Sequence, residues 1–219
     1  MKLETAYNLI KNIKNKNILE LIESHNTSIK EVKINKGGVG QLLLQYLNLP
    51  LDSKLKDFED GELKTNKTDK NGKSKETIFI TQISKIIDEL VCDKPKIFKE
   101  SNLYHKINNL LFIGICKDDD NFNRWFFTNC YHISSKKDSE IYAQLELDYY
   151  SICGQLVESI KKSKDKFIHT ANGKYIQIRS KDSKPYHPIY SKIFKKDISN
   201  KNHAFYFKKE FMEYVKSKY

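Results

Sequence analysis

The most informative stretch of the chain is Asp57-Phe58-Glu59-Asp60-Gly61-Glu62-Leu63-Lys64-Thr65. A turn signal at Gly61 precedes a segment that predicts a β-strand, and side chains two positions apart on a strand share one face. Glu62 and Lys64 therefore project together, and Asp57 can reach them from the turn. Two carboxylates at one point suit Mg²⁺, which prefers oxygen ligands. Such an ion polarises a phosphate and acidifies a bound water, while the lysine stabilises the developing negative charge.

The acid-x-lysine pattern alone is weak, because 31% of the chain is charged. The same pattern recurs at Glu31–Lys33, Asp52–Lys54 and Asp182–Lys184. The alternative for Glu62 and Lys64 is a solvated strand face with a weak surface ion pair. Their context favours a site, since a turn and a second acid precede them and a second strand pattern follows at residues 77–81. The Asn71-Gly72 turn signal between the two strands predicts an antiparallel hairpin.

Hydrophobic periodicity predicts a mixed α/β (α+β) chain with an antiparallel-leaning central sheet. The continuous apolar run at residues 110–115 is typical of a strand buried on both faces. Further strand patterns lie at residues 124–133, 174–179 and 204–207. Helical patterns lie at residues 3–13, 18–22, 41–47, 83–90 and 138–163, and in the segment after residue 208.

The composition favours a polyanionic partner. The chain has 39 Lys and Arg against 28 Asp and Glu, a formal net charge of +11, and neutralising phosphates releases counterions. A lysine-rich composition can also reflect the codon usage of the source. The stretch 181–201 interleaves lysines with aromatic residues, which favours contact with a DNA backbone over a plain solvated loop.

Several classes of site and location are not expected. The four cysteines form no C-x-x-C pattern, so we expect free thiols and no zinc site. No leader or membrane-spanning apolar run is evident, which predicts a cytoplasmic protein without a membrane partner. The glycine-rich stretch at residues 36–40 lacks the G-K-[ST] ending of a phosphate loop, so we expect no nucleotide cofactor.

Five blocks of sequence resemble, in order, those of one nuclease family. They are Lys36-Gly37-Gly38-Val39-Gly40-Gln41-Leu42-Leu43, then Asp57-Phe58 with Gly61-Glu62-Leu63-Lys64-Thr65, then Tyr104-His105-Lys106-Ile107, then Gly173-Lys174-Tyr175-Ile176-Gln177-Ile178-Arg179-Ser180-Lys181, and finally Ala204-Phe205-Tyr206-Phe207-Lys208-Lys209-Glu210-Phe211. On these blocks the chain resembles MutH and the related type II restriction endonucleases that cut DNA at GATC, members of the PD-(D/E)xK superfamily. Residues 113–165 and the first fifteen have no clear counterpart.

The resemblance implies a PD-(D/E)xK fold, with a central mixed sheet flanked by helices and two lobes around a DNA cleft. It implies one endonuclease domain over residues 1–219, with a metal-bearing lobe to about residue 110 and a DNA-recognition lobe from about residue 111. The implied activity is Mg²⁺-dependent, site-specific hydrolysis of DNA, in which Mn²⁺ can replace Mg²⁺. The implied partners are double-stranded DNA, a second copy of the chain on that DNA, and a cognate DNA methyltransferase in the cell.

The resemblance also implies roles for single residues. Asp57 and Glu62 would hold the metal together with the backbone carbonyl of Leu63, Lys64 would assist the water, and Lys106 would lie at the edge of the catalytic centre. The residues that would meet DNA are Lys36, Arg179, Lys181, Tyr206 and Lys208. From pattern alone, Arg179 is equally a phosphate contact or a plain surface residue, and Tyr206 is a core strand residue whose side chain points away from those of its neighbours.

Two departures from the family pattern leave more than one interpretation open. The family has a glutamate where this chain has Leu44, so either that acid is dispensable or Gln45 or another group substitutes for it. The spacing between the family's Asp and Glu is shorter here, so Glu59 and Asp60 compete with Asp57 for its role. A lysine-, asparagine- and isoleucine-rich composition favours a restriction enzyme over a nicking repair enzyme. A catalytically inactive DNA-binding relative and a basic RNA-binding protein are the competing functional classes.

Overall fold

The computed structural model describes residues 1–23, 37–50, 56–118, 121–181 and 184–219. Lys36 lies outside these residues. The chain forms two compact units: unit 1 comprises residues 1–76, 107–137 and 212–219, and unit 2 comprises residues 77–106 and 138–211. The metal-bearing lobe to about residue 110 and the DNA-recognition lobe after it stay a prediction. The chain passes more than once between the two units, and the strand that follows residue 108 pairs with the strand that begins at Glu62.

In the described part of the chain, runs of helices are followed by runs of strands. The helices are α1 (Leu3–Ile10), α2 (Ile18–Glu23), α3 (Gly38–Tyr46), α4 (Ile87–Leu90), α5 (Asn102–Ile107), α6 (Ser139–Lys162) and α7 (Lys209–Lys218), with 3-10 turns at Lys11–Ile13, Phe98–Glu100 and Phe122–Arg124. The strands are β1 (Glu62–Thr68), β2 (Ile78–Gln82), β3 (Asn109–Cys116), β4 (Phe126–Ser134), β5 (Ala171–Asn172), β6 (Ile176–Ser180), β7 (Ile189–Ser191), β8 (Lys196–Ser199) and β9 (His203–Phe207).

Unit 1 contains a mixed sheet in the order β1-β3-β4. Strand β1 runs parallel to β3, with Glu62 opposite Leu110 and Lys64 opposite Phe112, while β4 runs antiparallel to β3. Strand β3 is buried at every position after Asn109. This burial confirms the strand predicted from the apolar run, since a central strand covered on both faces needs apolar side chains on both.

The N-terminal helices cover one face of this sheet. Leu63 and Leu111 belong to a buried apolar cluster that also includes residues of α1, α2 and α3. Because side chains alternate along a strand, Glu62 then lies on the other face. Helix α3 begins after Gly37, whose φ of 94° is left-handed. A glycine adopts this conformation without steric cost, so the glycines mark the helix entry as predicted.

Unit 2 contains an antiparallel sheet in the order β2-β9-β6-β5 and a separate β7-β8 hairpin. The long helix α6 packs against β5 and β6. Its buried positions include Ile141, Leu145, Ile152 and Leu156, at the helical spacing that predicted this element. Strand β9 is the second strand of the sheet and is buried at all five positions.

A buried carboxylate connects α6 to the start of β6. Asp148 is only 3% exposed. Its Oδ1 accepts hydrogen bonds from the Lys174 N–H at 2.8 Å and the Gln144 amide at 2.9 Å. Its Oδ2 accepts from the N–H groups of Tyr175 at 2.6 Å and Ile176 at 3.2 Å. The carboxylate therefore satisfies backbone donors that burial would otherwise leave unpaired.

The mixed α/β class is confirmed, but the predicted hairpin between residues 62–65 and 77–81 is wrong. Strand β1 pairs with β3, and β2 pairs antiparallel with β9. Consequently the described strands form three sheets instead of one central sheet. The chain does reverse at Gly72, where φ is 76°, but a turn fixes only a change of direction and does not choose the partner of a strand. Within the described residues, no helix is long and apolar enough to cross a membrane.

Candidate active site

Glu62 and Lys64 meet on the face of β1 that points away from the N-terminal helices, as the period-two pattern predicts. The Lys64 Nζ donates to Glu62 Oε2 at 3.0 Å. Both side chains are withdrawn from water, with exposed fractions of 14% for Lys64 and 7% for Glu62. The weak, solvated surface pair is therefore excluded, and the charges interact in a medium that screens them less than water does.

Asp57 is held against the start of β1. Its Oδ2 accepts a hydrogen bond from the Leu63 N–H at 2.9 Å, and the Phe58 N–H closes the turn on the Gly61 carbonyl at 3.0 Å. A Cβ at Gly61 would overlap the Leu3 side chain, so only glycine fits there. The turn thereby fixes one carboxylate beside the backbone that joins Glu62 to Lys64.

The two neighbouring acids are engaged elsewhere. Glu59 Oε1 lies 2.7 Å from the amino group of Met1. Asp60 Oδ1 accepts from the Leu3 N–H at 2.8 Å, in the first turn of α1. Both acids therefore stabilise the junction between α1 and the turn. This geometry favours Asp57 over Glu59 and Asp60 as the partner of Glu62.

The donor atoms at this place suit a hard cation. Asp57 and Glu62 offer carboxylate oxygens, and Leu63 offers a backbone carbonyl, which is the ligand chemistry of Mg²⁺ with waters completing its shell. No group of three or more His, Cys, Asp and Glu side chains placed to hold a metal occurs in the described part of the chain. A site of two carboxylates falls below that number, and it offers none of the His or Cys ligands on which protein zinc sites are built.

Helix α3 supplies no further acid. Its sequence GVGQLLLQY contains no Asp or Glu. Leu44 is half-buried and packs against the apolar cluster of unit 1, so this position contributes an apolar contact and no carboxylate. Gln45 is half-buried on the same helix. An additional ligand from this helix would have to be an amide oxygen.

Two thiols, the half-buried Cys130 and the buried Cys153, are excluded as nucleophiles. Burial raises the pKa of Cys130 to about 12 and the pKa of Cys153 to about 12. The thiolate is the nucleophilic form of cysteine, and at neutral pH its population at these positions is negligible. All four cysteines are free, as expected from their spacing.

A second set of predicted residues lies on one face of the unit 2 sheet. The Arg179 guanidinium lies over the Tyr206 ring, 4.5 Å from its centroid, and Arg179 Nη2 donates to Thr77 Oγ1 at 2.9 Å. The Lys181 Nζ lies 5.0 Å from the centroid of the Phe79 ring. We call these five residues, Thr77, Phe79, Arg179, Lys181 and Tyr206, the basic–aromatic face.

Phe79 belongs to this face although it was not among the residues predicted from the sequence. It lies opposite Tyr206 in the β2–β9 register, and the two rings meet edge to face with centroids 5.8 Å apart. Phe79 is 38% exposed and Tyr206 only 8%. Its place between the buried Ile78 and Ile80 puts its side chain on the other face of β2.

The remaining predicted residues have different surroundings. Lys208 is half-buried, and its Nζ donates to the Gly173 carbonyl at 3.2 Å. This contact joins the Lys208 side chain to the turn before β6, and its contact with DNA stays a prediction. Lys106 is half-buried in the last turn of α5, in unit 2.

Comparisons of the chain with protein-family models and with curated proteins gave no match.

Proposed function

We propose that this chain is a Mg²⁺-dependent endonuclease that hydrolyses double-stranded DNA at a specific sequence, as type II restriction endonucleases do. The observation that carries the proposal is the buried Glu62–Lys64 pair beside a positioned Asp57. A basic chain with a net charge of +11 suits a DNA substrate. Recognition of GATC follows from the family resemblance alone.

Each residue of the centre has a distinct task. Asp57 and Glu62, with the Leu63 carbonyl, would hold the metal. When bound, Mg²⁺ supplies a Lewis acid that polarises the phosphate and lowers the pKa of water. The Lys64 ammonium, already 3.0 Å from Glu62, orients the attacking water and stabilises the charge that develops on the phosphoryl oxygens. The Leu63 N–H keeps Asp57 in position throughout.

The basic–aromatic face supports reading of DNA by unit 2. The planar guanidinium of Arg179 can bind guanine O6 and N7 together. Its contacts with Tyr206 and Thr77 fix the side chain before DNA arrives, which reduces the entropy lost on binding. Lys181 carries a point charge that suits a phosphate.

One observation favours a second candidate, a DNA-binding relative without catalysis. Leu44 occupies the place of a family glutamate and packs against the apolar cluster of unit 1, so one expected acid is missing. A third outcome, nicking of a single strand as in mismatch repair, follows if one centre acts alone. To cleave both strands, either a second copy of the chain must bind the DNA or one copy must rebind in the opposite orientation.

The experiment is digestion of unmethylated and adenine-methylated plasmid DNA with Mg²⁺ or with EDTA. We expect discrete fragments that require Mg²⁺, and a loss of roughly 10²–10³-fold in rate for Lys64→Ala, with Glu62→Gln also inactive. Glu158→Gln, which removes an acid from an exposed ion pair on α6, is the matched control.

The competing functions give different results in the same assay. Nicks without fragments would assign the chain to the nicking class. Intact DNA, together with sequence-specific binding in Ca²⁺, would assign it to the inactive class. Cleavage that survives in Glu62→Gln and Lys64→Ala would refute the proposed centre.

A further inference from the structure

The β7-β8 hairpin with its flanking residues carries a surface that the catalytic proposal does not use. Residues 184–201, which we call the basic hairpin, contain five lysines and one aspartate. Three large side chains project from it, with exposed fractions of 44% for Tyr186, 55% for Tyr190 and 47% for Ile193. Positive charge beside exposed aromatic residues is the composition of a nucleic-acid contact.

Among the described residues, the lysines at the tip have no ionic partner. Lys192 and Lys195 are exposed, and within the described ranges no carboxylate lies within 4.0 Å of either ammonium group. A polyanion neutralises exposed ammonium groups and releases counterions when it binds.

The tip is nevertheless held in one conformation. Asp88 of α4 accepts from Ser191 Oγ at 2.7 Å through Oδ1 and from the Lys192 N–H at 3.1 Å through Oδ2. The Ser191 Oγ in turn accepts from the Phe194 N–H at 3.2 Å. Asp88 thus fixes the start of the turn directly, and through Ser191 it supports Phe194, the residue before Lys195. A preorganised loop loses less entropy on binding.

We infer that the basic hairpin is a second DNA-binding element, which lies along the sugar–phosphate backbone, and that Asp88 is its positioning residue. Lysine ammonium groups and tyrosine hydroxyls donate to phosphate oxygens without reading bases. The hairpin therefore contributes affinity that does not depend on sequence. This inference rests on the proposed function, because it takes duplex DNA as the partner.

The test is equilibrium binding of short duplexes, with and without GATC, in Ca²⁺ over a range of NaCl concentrations. For the double variant Lys192→Gln/Lys195→Gln, the slope of log K against log [NaCl] should fall in magnitude by about 2, roughly 0.9 per phosphate contact, with an equal loss on both duplexes. The double variant Lys161→Gln/Lys164→Gln removes the same charge from the end of α6 and its following turn, and should leave the slope unchanged.

Asp88→Asn separates positioning from charge. Removing a negative charge should tighten binding if only net charge matters, whereas loss of the fixed turn should weaken it. Ser191→Ala loosens the same turn without changing charge and should weaken binding as well. We expect both variants to bind more weakly than wild type, and tighter binding by Asp88→Asn would overturn the positioning function.

The outcomes distinguish this inference from the catalytic proposal. If the wild type cuts DNA and the lysine variants keep its salt slope, the hairpin inference is wrong and the nuclease stands. If the wild type binds both duplexes with the expected slopes but never cuts, the hairpin stands and the nuclease is wrong. If the wild type binds no duplex DNA, both are wrong.

Discussion

Replacing Asp148 with alanine should destabilise unit 2 more than any surface change on the same helix. The carboxylate accepts four hydrogen bonds, three of them from backbone N–H groups of residues 174–176. A buried donor left without an acceptor costs about 1–3 kcal/mol, and a hydrogen bond to a charged group contributes about 1.5–3 kcal/mol. Because the Tyr175 and Ile176 donors are both buried, we expect a loss of about 3–6 kcal/mol in the free energy of unfolding.

The measurement is guanidinium denaturation followed by far-UV circular dichroism. Domains of this size have a net stability of about 5–15 kcal/mol, so the Asp148→Ala transition should move to much lower denaturant. Asp148→Asn keeps one acceptor oxygen and should fall between alanine and wild type. The control is Glu158→Ala, since Glu158 lies on the same helix with 59% of its side chain exposed. Equal midpoints for Asp148→Ala and Glu158→Ala would refute the argument.

Three further outcomes are expected. Gly114→Ala places a Cβ against a buried asparagine oxygen and should lower the free energy of unfolding by about 1–3 kcal/mol. In the control Gly154→Ala the new Cβ meets nothing within 4 Å, so this variant should unfold no earlier than wild type. Equal losses of unfolding free energy in the two variants would contradict this. Burial lowers the pKa of His203 from its ordinary value of 6.5. As pH drops, the unfolded chain therefore binds this proton before the folded chain does, and the free energy of unfolding falls below about pH 6.5. His203→Asn should reduce the difference in unfolding free energy between pH 7.5 and pH 5, and an unchanged difference would exclude this histidine as its source. Burial raises the pKa of Cys153 to about 12, so a thiol reagent at pH 8 should label this residue only after unfolding. The partly exposed Cys92 should be labelled in the native protein. Peptide mass spectrometry measures both, and labelling of Cys153 in the native protein would disprove the prediction.

Elements whose patterns are strong and local were predicted correctly. The apolar run at residues 110–115 indicated a strand covered on both faces, and β3 has that burial. Helix α6 followed from a long apolar stripe at helical spacing. Strand pairing is a non-local property, and here the prediction failed. Nothing near Glu62 in the sequence indicates that its partner is Leu110, which residues 77–106 of unit 2 separate from it along the chain.

In the candidate site, too, local geometry was predicted correctly and contacts between distant parts of the chain were not. Period-two alternation places Glu62 and Lys64 on one face, and their 3.0 Å contact agrees with it. The choice among Asp57, Glu59 and Asp60 could not be made from the sequence, because it depends on contacts with the first residues of the chain. Phe79 was missed for a related reason, since its neighbour Tyr206 comes from a distant strand.

The alternation of the chain between the two units has a consequence for its synthesis and dissection. Unit 1 is assembled from residues 1–76, 107–137 and 212–219. During translation the ribosome therefore releases every residue of unit 2 before the last segment of unit 1 emerges. No single cut in the gene yields either unit as an uninterrupted fragment, and a split version of this protein would have to be reassembled from complementary pieces.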